Sequence, residues 1–205
     1  MNFEIGIPTL NRIDLLMPCL IMYKMDFPNT RIWLLDNGNQ NIKIDGIEII
    51  RSVRNIGVAA SWNFLCHKIF ENADHAVILN DDIYLGKKKA QMEEIITHKK
   101  HKGKLLTATI DWCAFVMPKS VFEQVGSFDE SFFPAYYEDK DYEYRMKLMG
   151  LMPVKTPMLN PYLYKSSMTL AKEPSLLEAS KANKQKYIQK WGGEPQKETY
   201  KTAKF

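Results

Sequence analysis

The chain is 205 residues long, 45% hydrophobic and 25% charged. This excludes a disordered or fibrous protein and suits one domain with a sizeable core, since single cores stop growing somewhere above roughly 250 residues. The net charge of +4 is uneven: residues 181–205 hold seven lysines against Glu194 and Glu198, so this end is +5 and the remainder −1.

The lysine-rich end reads as a solvated face or loose tail. It lacks interleaved aromatics other than Tyr187, Trp191 and Tyr200, so no nucleic-acid partner is expected. The start, Met-Asn-Phe-Glu-Ile, has no basic lead for an export signal. The apolar run Leu15 to Tyr23 is broken by Pro18 and falls short of the roughly 20 residues a membrane span needs. Cys19, Cys66 and Cys113 are odd in number and form no CxxC pair, as free thiols of a reducing compartment would. A soluble cytoplasmic protein without a membrane span is the expectation.

In chain order, Phe3 to Ile7, Arg31 to Leu35, Ile47 to Ile50 and Ala76 to Leu79 are short apolar runs bounded by Gly, Asn, Asp or Pro, which predicts buried strands. Between them, Asn11 is placed to cap a helix reaching about Met25 with Leu15, Leu16, Leu20 and Tyr23 inward. A second helix over Val58 to Phe70 carries Trp62, Leu65, Cys66 and Ile69 at helical spacing. Strands alternating with helices predict an α/β fold with a mainly parallel central sheet, whose ligands bind beyond the carboxyl ends of the strands. The second half reads as α+β: a Lys-rich helix over Lys87 to His101, strands over Leu105 to Thr109 and Cys113 to Met117, and a last helix from Pro174 to Lys190 stopped by Gly192-Gly193.

Each strand end in the first half delivers polar groups: Pro8-Thr9-Leu10-Asn11, Asp36-Asn37-Gly38 and Asn80-Asp81-Asp82. The middle one has the composition of a tight turn. The last sets two carboxylates side by side after a buried strand, where they repel unless a cation offsets them; a solvated turn opposite Lys87 to Lys89 is the plain alternative. Oxygen ligands of this kind favour Mg2+ or Mn2+. The string FDESFFPAYYEDKDYEYR, residues 128–145, packs six carboxylates and seven aromatic rings into eighteen positions. It reads as a loop feeding a helix with Glu138, Asp139 and Asp141 in the first turn, where the macrodipole stabilises acids, and with Tyr142, Met146 and Met149 inward before Gly150. Upstream, Phe132, Phe133, Tyr136 and Tyr137 supply rings suited to stacking on a sugar, and crowded carboxylates raise one another's pKa, which suits a general base.

Taken together, IGIPTLNR, LLDNG, RNIGVAASWN, VILNDD, FDESFFPAYYEDKDYEYR and KWGG resemble, in order and spacing, the inverting GT-A glycosyltransferases of family two, from about Phe3 to Gly193. The resemblance implies one Rossmann-like GT-A domain over 1–205, with a nucleotide-binding half (1–85), an acceptor half (86–193) and a basic tail (194–205). It implies that Pro8, Thr9 and Leu10 line the nucleotide pocket, that Asp36 recognises the base, and that Gly57 lets the backbone approach the nucleotide. Asn80-Asp81-Asp82 then stands at the DxD motif, with Asn80 and Asp81 at the nucleotide and Asp82 on Mn2+ or Mg2+. Asp139 would be the general base, and Trp112, Tyr137 and Glu138 would border the acceptor. The implied partners are a nucleotide-sugar donor, UDP favoured before dTDP and GDP, and a glycan or glycoconjugate acceptor. The short chain suits one module of a larger glycan-building protein.

Many members of the family it resembles carry a histidine some 25 residues after the ED pair that can bind the metal; this chain has Tyr164-Lys165-Ser166-Ser167. The implied metal shell is thinner, with Lys165 a candidate positive charge for the diphosphate. His98 and His101, three apart on a Lys-rich stretch, do not replace the histidine. Sugar nucleotidyltransferases would need a Gly-rich loop where IPTLNR stands. A non-catalytic sugar- or nucleotide-binding module of the same fold is the alternative from another class.

Overall fold

A computed structural model describes residues 2–38, 40–164 and 175–204. A seven-stranded sheet runs in the order β3-β2-β1-β4-β7-β6-β8, formed by β1 (Phe3–Thr9), β2 (Ile32–Asp36), β3 (Glu48–Arg51), β4 (His75–Leu79), β6 (Leu106–Thr107), β7 (Ala114–Pro118) and β8 (Val154–Lys155). The pairs β3·β2, β2·β1, β1·β4 and β6·β8 are parallel, whereas β7 runs antiparallel to both β4 and β6. A separate two-stranded sheet joins β5 (Ile83–Tyr84) to β9 (Leu163–Tyr164).

The pleat assigns alternate side chains to opposite faces, and the two cores follow it. On one face Leu34, Val77, Leu79 and Val116 pack with Leu16, Leu20 and Tyr23 of α1 (Ile13–Asp26) and Met92, Ile95 and Ile96 of α3 (Lys89–Thr97). On the other, Leu35, Ile78, Phe115 and Met117 pack with Trp62, Leu65, Cys66 and Ile69 of α2 (Gly57–Ile69), Phe122 of α4 (Lys119–Val125) and Tyr142 and Met146 of α5 (Glu138–Leu148). Gly6 lets α2 lie close on the sheet: a Cβ there would meet Ile78 Cδ1 at 2.9 Å and Leu65 Cβ at 3.1 Å. Burial on both faces is what a central parallel sheet requires.

The α6 helix (Ser175–Trp191) builds a third, smaller cluster, in which Tyr187 and Trp191 meet Phe132 and Tyr144. Its last turn carries a buried charge cluster. Lys190 Nζ lies 2.5 Å from Asp129 and 2.8 Å from Asp141, Arg145 Nε lies 2.8 Å from Asp141, and Trp191 Nε1 donates to Asp141. A buried carboxylate survives only with such partners.

The predicted elements recur with shifted ends, and four expectations are corrected. Asn11 does not cap α1: Arg12 holds the N-cap position without a side-chain cap bond, and Asn11 sits at φ +54°. Met149 is exposed, because α5 ends at Leu148 and the chain turns out through Gly150 at φ +72°. The Lys-rich helix is only nine residues long, since the chain after Thr97 turns through His98–Lys104. The end of the chain is not loose: the Thr199 and Tyr200 amides donate to the Trp191 carbonyl, and Tyr144 Oη donates to the Tyr200 carbonyl at 2.8 Å. Pro174, the predicted start of α6, lies outside the described residues.

All three cysteines are free. Among the described residues no helix is long and apolar enough to cross a membrane.

Candidate active site

Because β1, β2 and β4 are parallel neighbours, their carboxyl ends open on one edge of the sheet. A cavity of about 370 Å³ lies there. One wall comes from Pro8, Thr9, Leu10, Asn80, Asp81 and Asp82, the floor from the start of α2 at Gly57 and Val58, and the far wall from Asp111, Trp112, Pro134, Tyr136, Glu138 and Asp139. The three strand ends and the ED pair, separate in sequence, thus share one small volume.

The acid pair after β4 is held from β1 and by a buried cation. Thr9 Oγ1 donates to Asp81 Oδ2 at 2.7 Å. Arg12, only 1% exposed and paired with Asp14 at 3.2 Å, opposes the charge of both Asp81 and Asp82. Burial nevertheless pushes the Asp81 carboxyl up to about 6, with Asp82 adding to the shift and the Thr9 hydroxyl and Arg12 opposing it. Burial also raises Asp82, and the nearby charge of Asp111 adds to that. Arg12 offsets part of this charge, and the acid pair is partly buried, so the plain alternative of a solvated turn opposite Lys87 to Lys89 does not describe it.

Asp82 Oδ1 is buried and makes no hydrogen bond. So are Glu138 Oε2 and Trp62 Nε1, both on residues that line the same cavity. Orphaned buried polar atoms are rare and costly, and they concentrate where a ligand completes the bonding. Asp111 faces this region with Oδ1 accepting from the Cys113 amide at 2.6 Å and Oδ2 accepting from Tyr164 Oη.

The approach to the ED pair is strained. Tyr136 and Tyr137 both have φ +77°, a left-handed conformation that costs non-glycine residues on the order of 1–3 kcal/mol each and clusters at functional sites. It also redirects the rings. Tyr136 lines the cavity, while Tyr137 packs on Tyr187 with ring centroids 5.7 Å apart. Tyr137, expected to border the acceptor, thus does not line the cavity, and Tyr136 does. Of the other rings expected to form a sugar platform, Phe132 is fully buried in the α6 cluster and Phe133, half exposed, does not line the cavity.

Glu138 is buried at the start of α5, and burial followed by the Asp139 charge lifts its pKa well above the ordinary glutamate range. Asp139 Oδ1 accepts from the Lys140 amide at 2.8 Å, and Oδ2 pairs with Lys140 Nζ at 3.0 Å. Trp112 lines the cavity by one edge but is otherwise packed among Trp62, Phe115, Phe128 and Tyr142, and its Nε1 donates to Glu143.

One further expectation changes. Asp36 is fully buried and does not line the cavity; its oxygens accept from the amides of Gly38 at 2.9 Å and Gln40 at 2.8 Å, and from Gln40 Nε2. It builds the turn after β2, and the neighbouring Asn37 lines the cavity instead. Gly57, at φ +82°, makes room for the protein's own loop: a Cβ there would lie 2.9 Å from both Phe133 Cδ2 and the Pro134 carbonyl oxygen. Val58 N donates to that same carbonyl at 2.8 Å.

The reading of residues also missed Arg12 and Asp111. Arg12 stands in the string IPTLNR and Asp111 immediately precedes Trp112, but nothing local marks Arg12 as buried behind the acid pair or Asp111 as lining the cavity. Lys165 lies outside the described residues. His98 and His101 lie on the turn after α3, and His101 Nδ1 is 2.8 Å from the Ile95 carbonyl oxygen.

No protein-family model matches the chain, and no curated protein sequence matches it. Solved structures do share its fold. A mannosyltransferase from Pyrobaculum calidifontis, in complex with GDP-Man and Mn2+, superposes with a TM-score of 0.62 at 12% identity, over 91% of this chain and 64% of that chain. GalNAc-T7 with UDP, GalNAc and Mn2+ superposes with a TM-score of 0.65 at 10% identity, over 77% of this chain and 43% of that one. The chain therefore spans less than two thirds of the length of either. At these identities the likeness shows the fold, and that fold is the GT-A fold of glycosyltransferases.

Proposed function

We propose that the protein is an inverting glycosyltransferase that moves a sugar from a nucleoside-diphosphate sugar to a hydroxyl of a glycan or glycoconjugate. One observation carries the reading: five carboxylates, Asp81, Asp82, Asp111, Glu138 and Asp139, line a single cavity at the carboxyl edge of a GT-A sheet. Such a cavity repels a diphosphate unless a cation accompanies it.

The residues fit a hard divalent ion. Carboxylate oxygens are its preferred ligands, and Asp82 Oδ1 lies buried with no partner. Among the described residues no cluster of three or more His, Cys, Asp or Glu is arranged to hold a metal. This matches an ion held by one or two carboxylates plus substrate phosphates. Asp82 is the ligand we assign, with Asp81 beside it; Mn2+, present in both structural neighbours, is the favoured ion and Mg2+ the other candidate. When bound, the ion would stabilise negative charge on the departing diphosphate.

The chain's own residues do the rest. Pro8, Thr9, Leu10 and Asn80 form the wall against which the nucleotide rests, and Thr9 and Arg12 hold the acid pair in place. Tyr136 and Glu138 border the acceptor. Asp139 accepts the proton of the acceptor hydroxyl as that oxygen bonds to the anomeric carbon and the sugar–phosphate bond breaks. One displacement inverts the anomeric centre. The Asp139–Lys140 pair does not obstruct this, because partly exposed ion pairs contribute only about 0–1 kcal/mol and Lys140 is 39% exposed. UDP is the favoured nucleotide by family resemblance, with dTDP and GDP behind it.

The alternative, a non-catalytic binding module, has the same cavity and would bind donors without turning them over. A panel of UDP-, dTDP- and GDP-sugars screened for thermal stabilisation, with and without Mn2+, tests the binding half of the reading. Metal-dependent stabilisation by one nucleotide class is expected, and no stabilisation by any donor would contradict it.

A further inference from the structure

The loop that delivers Glu138 and Asp139 is gripped by one side chain more than forty residues downstream. Asn183 lies in α6 and is 2% exposed. Its Nδ2 is 2.9 Å from the Ala135 carbonyl oxygen, 3.2 Å from that of Tyr136 and 3.3 Å from that of Phe133. Three acceptors around one atom identify it as the amide nitrogen. The remaining carbonyl of the stretch, Pro134, accepts from Val58 N at the start of α2. The Phe133, Ala135 and Tyr136 carbonyls therefore share the two N–H groups of Asn183, and Pro134 is taken by Val58.

The grip falls where the backbone is least comfortable. Tyr136 and Tyr137 are both left-handed, and such conformations persist only where surrounding contacts over-determine them. Asn183 binds the carbonyl of the first and of the residue before it. Next to it on α6, Tyr187 packs on Tyr137, and Lys186 Nζ donates to the Ser131 carbonyl. A relaxed backbone at these two residues would rotate the start of α5 and carry both carboxyl groups with it.

We infer that Asn183 is a positioning residue for the Glu138–Asp139 pair, fixing the left-handed turn that aims these carboxylates into the cavity. The inference rests on the glycosyltransferase reading for its chemical consequence, but its structural part stands apart from that reading.

Two substitutions separate positioning from packing. Asn183→Asp keeps size and shape but removes the amide donors, whereas Asn183→Ala removes both. Lys181→Ala, an exposed change in the same helix, is the control. Hydrogen exchange of the full chain is expected to quicken by about tenfold or more at amides 135–141 in both Asn183 variants, with the central strands unchanged, as for local opening of a weakly held segment. Calorimetric affinity for UDP or GDP with Mn2+ should stay within about twofold, while turnover of UDP-N-acetylgalactosamine or GDP-mannose, read as nucleotide release, falls on the order of 100-fold, the penalty of roughly 1 Å of misplacement.

Wild-type exchange at 135–141 in Asn183→Asp would overturn the inference. So would nucleotide affinity falling in step with turnover, or loss of cooperative unfolding in both variants, either of which makes Asn183 a general support of the fold. A wild-type protein that turns over no donor of the UDP-, dTDP- and GDP-sugar panel sinks the glycosyltransferase reading instead, and the exchange result still decides the positioning role.

Discussion

Thr9 Oγ1 and Asp81 Oδ2 lie 2.7 Å apart, joining the carboxyl ends of β1 and β4 across 72 positions of sequence. The bond places a carboxylate that burial pushes up to about 6 in the cavity wall, so the stability of the protein is linked to one proton there.

The sign of that linkage follows from the shift. The folded state keeps a proton on Asp81 in the interval where the unfolded carboxyl, near its ordinary value of about 3.9, has already lost it. Stability from this group is therefore complete below about pH 4 and is lost as pH rises through about 6. Asp81→Asn still accepts from Thr9 and removes the charge. It should raise stability at pH 7 by up to about 3 kcal/mol, and by far less at pH 4. Urea denaturation at the two pH values checks this; an equal change at both would contradict it.

Asp82 offers a buried oxygen without a partner. Asp82→Ala should weaken Mn2+-dependent binding of UDP or GDP by on the order of 10- to 100-fold, since even outer partners of metal ligands have effects of that size. The metal-free protein should fold as before. Isothermal calorimetry with an unchanged Mn2+-dependent affinity would remove Asp82 from the site.

Gly57 is predicted to be intolerant of any side chain. Gly57→Ala combines a positive φ with two contacts at 2.9 Å, one of them to a backbone oxygen. A loss of about 1–3 kcal/mol is expected from the backbone conformation alone. For a chain of this size each kcal/mol lowers the melting temperature by roughly 2–4 °C. A thermal melt identical to the wild type would show that the loop over Gly57 yields freely.

The strand ends were legible because each strand is a short apolar run closed by Asp, Asn, Gly or Pro, and because alternation with helices implies a parallel sheet with one ligand edge. Helix α2 was legible for a similar reason: Trp62, Leu65, Cys66 and Ile69 keep helical spacing. The ED pair stood out as acids at a helix start.

What could not be read depends on backbone direction and on distant partners. Two left-handed residues put Tyr136, not Tyr137, against the cavity, and no local pattern announces them. Arg12 is seen to lie near the acid pair only once β1 and β4 are seen to pair. Asn183 sits among lysines on a polar stretch of α6, so its burial beneath the ED loop has no signature in periodicity. The two-residue strands β5 and β9 are too short to show alternation.

The proposed assignment of the proton to Asp139 and not to Glu138 is tested by their variants. Asp139→Asn is expected to lower transfer by about 10²–10⁴-fold, the range for a lost general base, with donor affinity nearly intact. Glu138→Gln should cost less. The reverse order would move the basic role to Glu138, the carboxylate with the orphaned oxygen.

The most direct measurement is proton NMR of the protein incubated with an α-linked nucleotide sugar, Mn2+ and a panel of acceptor glycans, following both nucleoside diphosphate release and the anomeric configuration of the new linkage. Metal-dependent release with a β-linked product, abolished in Asp139→Asn, is the predicted result. Retention of the α configuration, or tight donor binding with no release for any acceptor or for water, would contradict the account.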